Sequence, residues 1–317
     1  MAVVFIAITA LGFVPQLVFI HAQKIHLHWF THVHGAVMTG WLSLFFAQAV
    51  LAARGQLKYH KRLGLFSVGW GLVVWVTMVV VTLSALIRNN PPELSGEFNT
   101  FALTLAAIVL FGWFFTWGIR SRKNAAVHKR LVFFAMLPLM SAGIDRIDFL
   151  PALQSAYFVR FIYLDLLLIP LAVYDFVTVR RIHRITLLGA ACMVVSQGIV
   201  VGAAASPAWH RFVYRALTPF VERLPEVSLT DAQTDPLLGD YGGKDWKMTV
   251  SRDGGKLYLQ MPTLPKWELG TYSATELFLK TDAVKLTFAK DPQGAVTKVV
   301  VTQPDKTWEA ARVTQAK

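Results

Sequence analysis

The chain reads as a mainly α membrane bundle of about seven transmembrane helices followed by a small all-β domain, a barrel or a sandwich. Three observations lead there. Of 317 residues, 55% are hydrophobic, and the mean hydropathy is +0.47, too apolar for an ordinary soluble domain. Apolar runs of roughly 20 residues, the length a bilayer crossing requires, recur along the first two thirds. Beyond residue 205 these runs stop and short alternating stretches begin. The expected organisation is a transmembrane domain over 1–205, an interfacial amphipathic helix and linker over 206–229, and an extracytoplasmic β-domain over 230–317.

The expected spans are Ala2–Ile20, Val33–Ala53, Leu63–Ile87, Phe101–Ile119, Leu131–Leu150, Tyr157–Val177 and Ile185–Ala205. The fifth and sixth carry charges. The first lacks a basic start, is long for a signal h-region and contains Pro15, so it is read as a retained helix; cleavage after Ala22 would leave six spans in the same orientation. About half of the 31 Lys/Arg but only about a third of the 19 Asp/Glu precede residue 206. That excess sits in alternate loops, around Arg54 to Arg62, Arg120 to Arg130 and Arg180 to Arg184, and not on a nucleic-acid-binding face. By the positive-inside rule those loops are cytoplasmic. The expectation is therefore a multi-pass protein of the cell inner membrane, with a cytoplasmic amino terminus and the β-domain in the periplasm or outside the cell. The one cysteine, Cys192, lies in the seventh span, so the β-domain must hold together by its core alone.

Gly198 and Gly202 in the seventh span, and Gly35 and Thr39 in the second, have the small-xxx-small spacing that lets helices approach. Residues Ala208–Leu224 place Trp209, Phe212, Val213, Leu217 and Phe220 at helical spacing, with Pro219 as a bend. This stretch either lies on the outer membrane surface or packs on the β-domain. Beyond it, Lys247–Ser251, Lys256–Met261, Glu276–Lys280, Val284–Ala289, Val296–Thr302 and Trp308–Val313 alternate as strands. Turns are expected at Arg252–Gly255 and Asp291–Gly294.

Histidine carries the strongest chemical signal. His60-Lys61-Arg62-Leu63 and His128-Lys129-Arg130-Leu131 recur at the same place relative to the membrane, each at the mouth of an apolar run. His21, His26, His28, His32 and His34 fall in one short outer segment. As one helix, His34 to His60 would cover about 39 Å, more than the roughly 30 Å hydrocarbon core. The two cannot share one iron. An inner site must pair His60 with His128, and an outer one must use His34 with another outer group. Such pairs resemble the ligands of integral-membrane b-type cytochromes, in which helices offer paired imidazoles to hemes near the two faces. Lys61, Arg62, Lys129 and Arg130 would suit heme propionates. The competing reading is that these histidines simply sit among headgroups.

Charged residues within the spans form the second signal. Asp145, Arg146 and Asp148 near the end of the fifth span, with Arg160 and Asp165 in the sixth, should pair within the bundle. Asp165 with Arg146, or Asp145 with Arg160, would satisfy them. Alternatively, His28, His32, Asp145 and Asp165 together with His34 surround a zinc or iron in an outer cavity. His28 and His32, four apart, would share one helix face. Gln48 and Gln197 are expected to make interhelical hydrogen bonds, and Trp75, Trp113 and Trp117 either line a cofactor or meet lipid.

The string His34-Gly35 to Trp41, Gln48, Leu51, Gly55 and His60-Lys-Arg-Leu-Gly64, with His128 to Leu131, resembles a bacterial multispan membrane family of unknown function. The resemblance implies a helical bundle and brings no reaction. Leu238 to Gly242, Gly255 to Gln260 and Lys285 to Phe288 are similar to the accessory β-domain appended to serine-β-lactamase-like hydrolases, which implies binding or capping. Ser251 and Ser273 have no histidine nearby in sequence to activate them. Three functions remain open. The first is b-heme binding with transmembrane electron transfer to a redox partner. The second is a membrane scaffold or sensor whose β-domain binds a ligand or a periplasmic protein. The third is an intramembrane metal-dependent enzyme.

Overall fold

The computed structural model describes residues 1–22, 27–150, 157–221, 225–242, 247–262, 265–303 and 307–313, with the backbone alone at 157–160. His26, Arg223 and Leu224 lie outside the described residues, as does the side chain of Arg160. Seven helices among the described residues are long and apolar enough to cross a membrane, and a closed eight-stranded barrel follows them. This is the architecture of a multi-pass membrane protein with an appended β-barrel. Two compact units are distinguished: residues 1–83 with 101–205, and residues 84–100 with 206–317.

The helices are α1 (Ala2–Ala22), α2 (Trp29–Ala53), α3 (Leu57–Asn89), α4 (Glu97–Arg120), α5 (Ala125–Ile144), α6 (Tyr157–Leu166), α7 (Ile169–Val179) and α8 (Arg184–Ala204). The loops between them are set by local chemistry. Gly55 takes a left-handed φ of 68°, and its amide and that of Gln56 return to Ala52 and Leu51, closing α2. Asn124 caps α5, its side chain accepting from the amides of Ala126 and Val127, and His183 caps α8 through Ile185 N. The sixth span, expected as one helix, is broken between α6 and α7. Pro170 has no amide to donate to Leu166, and the chain tightens there through Leu167 N to Leu164 O and Leu168 N to Asp165 O.

The least apolar span, α5, is the most buried. It lies against α1, α6 and α8, and Phe133, Phe134, Met136, Leu137 and Met140 enter the core with Phe111, Phe114 and Met193. A helix enclosed by other helices meets little lipid and so tolerates polar residues. Its tightest crossing is backbone on backbone: a Cβ on Gly12 would lie 2.2 Å from Gly143 O. Gly35, Gly198 and Gly202, expected to supply such crossings, have open space where a Cβ would go. Trp41 is buried against Phe111 and Phe115.

The barrel consists of β1 (Gly239–Gly242), β2 (Lys247–Asp253), β3 (Lys256–Gln260), β4 (Trp267–Ser273), β5 (Glu276–Leu279), β6 (Lys285–Lys290), β7 (Val296–Thr302) and β8 (Thr307–Arg312). Each strand pairs antiparallel with the next. Closure comes from β1 on β8, with Tyr241 opposite Arg312 and Gly242 opposite Ala311. The alternative of a sandwich is thereby excluded. Gly254 and Gly255 both have positive φ in the two-residue turn joining β2 to β3, as a type I′ turn demands. Alternate residues fill the interior: Met248 and Val250, Leu257 and Leu259, Leu286 and Phe288, Val299 and Val301. The short helix α10 (Asp231–Thr234) precedes Leu237, which joins the interior cluster. Inside, Tyr241 donates its hydroxyl to Leu237 O at 2.8 Å, and burial pushes its phenol up to about 12. On the outside, Phe278 folds across its cross-strand partner Gly270 and stacks on Tyr272 at 4.2 Å.

Two outcomes test this packing. Gly12→Ala lowers the melting temperature of the detergent-solubilised protein, whereas Gly198→Ala leaves it unchanged. A folded-state pKa raised above the unfolded value of about 10 means that Tyr241 favours the folded barrel fully below pH 10 and loses that contribution as pH climbs through its folded value. The difference in phenolate absorbance between the wild type and Tyr241→Phe should therefore show one tyrosine titrating near 12.

Candidate functional site

His60 and His128 lie one turn into α3 and α5, each just after a capped loop, and so at matching depth. Their rings are 6.4 Å apart centre to centre, with planes at 80°. Atoms of the two rings are then at least about 4 Å apart, too far for a hydrogen bond; a metal held by one nitrogen of each through bonds of about 2.0 Å is compatible with that limit. Both rings are half-buried. The Nδ1–H of His128 donates to Gly118 O on α4 at 2.8 Å, which leaves its Nε2 with a lone pair. Gly118 permits this approach, since a Cβ there would lie 3.1 Å from the Val132 side chain.

His60 is governed by Gln48 on α2. Its Nδ1 is 3.3 Å from the backbone carbonyl of Gln48, a contact that needs a proton on Nδ1. The Gln48 side-chain amide asks for the opposite. With its nitrogen facing His60 it reaches the His60 carbonyl at 3.1 Å and His60 Nδ1 at 2.6 Å, while its oxygen accepts from Ser67 Oγ and Gly64 N. The shorter contact, with the amide oxygen accepting from Gly64 N at 2.7 Å, dominates and places the proton on Nε2. Turning the amide over would make Nδ1 the donor and free Nε2. Gln48 is thus the interhelical amide the sequence suggested, and it also selects the His60 tautomer.

Beside this pair lies an ion pair that sequence reasoning missed. Arg130 is 1% and Asp175 0% exposed. Arg130 Nε donates to Asp175 Oδ1 at 2.9 Å and its Nη2 to the same oxygen, while Nη1 donates to Ala126 O at 2.6 Å. Asp175 Oδ2 accepts from His183 N at 2.9 Å and from the Thr186 hydroxyl. One carboxylate thereby joins α5, α7 and the start of α8. Arg130 was expected to suit a propionate; it instead pairs with Asp175. Burial, followed by the neighbouring Arg130 guanidinium, holds the His183 imidazole below its ordinary range. Lys129 bonds the Tyr174 hydroxyl and lies 4.5 Å from that ring's centre. Lys61 and Arg62 are exposed. An arginine six residues beyond the Asn124 cap, with an aspartate in the next apolar run, was the available signal.

The residues expected to form an outer site do not converge in this way. His34 Nδ1 meets Thr77 Oγ1 at 3.2 Å; that hydroxyl is committed as a donor to Val74 O, so it accepts from the ring. His28 is the extended N-cap of α2, its ring accepting from Phe30 N, and so does not share a helix face with His32, which is exposed. Asp145 is exposed at the end of α5. Asp165 accepts from Gln197 Nε2 at 2.8 Å, giving the second expected interhelical amide. Arg146, expected against Asp165, donates to Ala142 O and stacks over Phe13. Trp75 donates to Ile108 O, and Trp113 is exposed. Among the described residues, no group of three or more His, Cys, Asp and Glu is placed to hold a metal ion. No protein-family model matches the chain, and no curated protein matches it.

Removing one partner of a buried ion pair leaves an uncompensated charge, at a cost of about 3–5 kcal/mol. Asp175→Ala should therefore destabilise the bundle on that scale. Asp175→Leu combined with Arg130→Met should recover much of the loss, as read by thermal unfolding in detergent.

Proposed function

We propose that the protein is a b-heme-binding membrane protein, with His60 and His128 as the two residues that would hold the heme at one end of the bundle. The observation that supports this reading is that the two imidazoles lie side by side at matching depth, 6.4 Å apart centre to centre. A site of two histidines suits heme because the porphyrin supplies the remaining four ligands; a bare zinc or iron ion needs more protein donors than this pair offers. His128 already has the required tautomer. His60 acquires it when the Gln48 amide turns its oxygen, together with the Gln48 backbone carbonyl, towards Nδ1–H. Lys61 and Arg62 remain for the propionates. When bound, the heme would supply one-electron chemistry, and the protein's part is to orient the two rings, fix their protons and keep water from the inner end of the bundle.

By the positive-inside rule, the end carrying His60, His128 and the basic loops faces the cytoplasm of a cell inner membrane, and the barrel is exported. With His34 satisfied by Thr77, the reading is of an inner-face heme exchanging electrons with a redox partner. The metal-dependent enzyme is set aside because its residues are spread out: His28 caps a helix, His32 and Asp145 are exposed, and Asp165 holds Gln197. Any ligand of the barrel must bind its outside, since the interior is occupied by side chains.

Protein purified from heme-replete cells should show a Soret band and, on reduction, an α band at one heme per chain. His60→Ala and His128→Ala should each abolish that spectrum, and His34→Ala should keep it. Purified, folded protein without stoichiometric Soret absorbance removes the reading.

A further inference from the structure

Helix α9 (Pro207–Leu217) follows α8 after Ala205 and Ser206, two residues that reach at most about 7 Å. A headgroup layer is about 5–8 Å deep, so the first turn of α9 starts at headgroup depth. Its other anchor agrees. Trp209 Nε1 donates to Phe98 O at 3.0 Å and His210 Nε2 to Asn99 Oδ1 at 2.8 Å, and both acceptors belong to the first turn of α4, itself a membrane-spanning helix. Burial lowers the His210 imidazole from its ordinary value, as fits a neutral ring held as a donor to Asn99.

The helix has two unlike faces. At about 100° per residue, Trp209, Val213 and Leu217 share one, and Val213 and Leu217 are buried. Ala208, Arg211, Phe212, Arg215 and Ala216 share the other, all exposed, and they line a recess of about 550 Å³. Phe212 is 65% and Phe220, in the turn that follows, 66% exposed. Residues 207–220 contain no aspartate or glutamate. Two guanidiniums beside an exposed phenylalanine, pinned at that depth, complement an anionic headgroup above an acyl chain: the arginines reach phosphate and the rings enter the boundary.

We infer that α9 is a docking surface for acidic phospholipid, with Arg211 and Arg215 binding the phosphate of the leaflet entered by the ends of α4 and α8, and Phe212 and Phe220 inserted beside it. The occupant is the bilayer's own lipid. Neither the barrel nor the heme reading is needed for this surface.

The test uses the full chain with Cys192→Ser and a bimane on Ala216→Cys, reconstituted in phosphatidylcholine vesicles with and without phosphatidylglycerol. Shallow spin-labelled lipid should quench the bimane, the phosphatidylglycerol form more than the choline form. Arg211→Gln with Arg215→Gln should reduce that preference roughly 10-fold or more, and added salt should reduce it on the unsubstituted arginines, which gives a readout that does not depend on the variant folding. The inference is overturned by quenching from aqueous iodide but not from lipid. It is equally overturned by a preference that survives both charge removal and salt, or by quenching that follows the protein-to-lipid ratio and so reports a second copy of the chain.

Discussion

Inside a bilayer a charge has no water to fall back on, and the Arg130–Asp175 pair is where that constraint organises the bundle. All of Asp175's strong contacts are made within the protein: two donors from Arg130, the His183 amide and the Thr186 hydroxyl. Meeting them fixes the start of α5, the end of α7 and the cap of α8 together. His128 is two residues before Arg130 on α5, so the rotation that buries the guanidinium also sets the direction of the imidazole. The neighbouring crossing of Gly12 on Gly143 holds the opposite end of α5 against α1. Ring spacing in the His60–His128 pair is thus a by-product of electrostatic necessity at one end of α5 and steric contact at the other.

The membrane spans were legible because a hydrocarbon slab imposes one length on every apolar run. The strands were legible where one face is buried and the other wet, as in Lys256–Gln260. The strand Trp267–Ser273 was missed. Its Leu269 and Gly270 are both buried, and Gly270 disrupts the alternation because Phe278 covers it in place of a side chain of its own. The break at Pro170 was also missed, since an apolar run reads as continuous whether or not its backbone is.

At the candidate site, sequence reasoning reached the pairing of His60 with His128 through depth alone, and the structure places those rings side by side. It could not reach the tautomers, because these depend on Gln48 and on the Gly118 carbonyl, groups whose reach is set by helix rotation. It misassigned Arg130 for a related reason. A cation in a basic loop and a cation turned into the bundle look alike in a one-dimensional charge pattern, and only Asp175, 45 residues later, distinguishes them. Five histidines in one segment suggested a cluster by number alone; of these, His28 serves as a helix cap and His34 as a hydroxyl's donor.

Closure of the barrel rests on its final strand. Every other pairing joins neighbours in sequence, so the sheet can grow hairpin by hairpin as the chain emerges, with little entropic cost for each addition. Until residues 307–312 arrive, the sheet is an open curl with bare edges on β1 and β7, each offering unpaired amides and carbonyls to any passing strand. The last strand seals both edges at once. Loss of that single segment would turn a sealed cylinder into a template for cross-molecular pairing, and so the strand that adds Ala310 to the interior cluster, with Trp308 packed against it, has the largest part in keeping the domain from self-association.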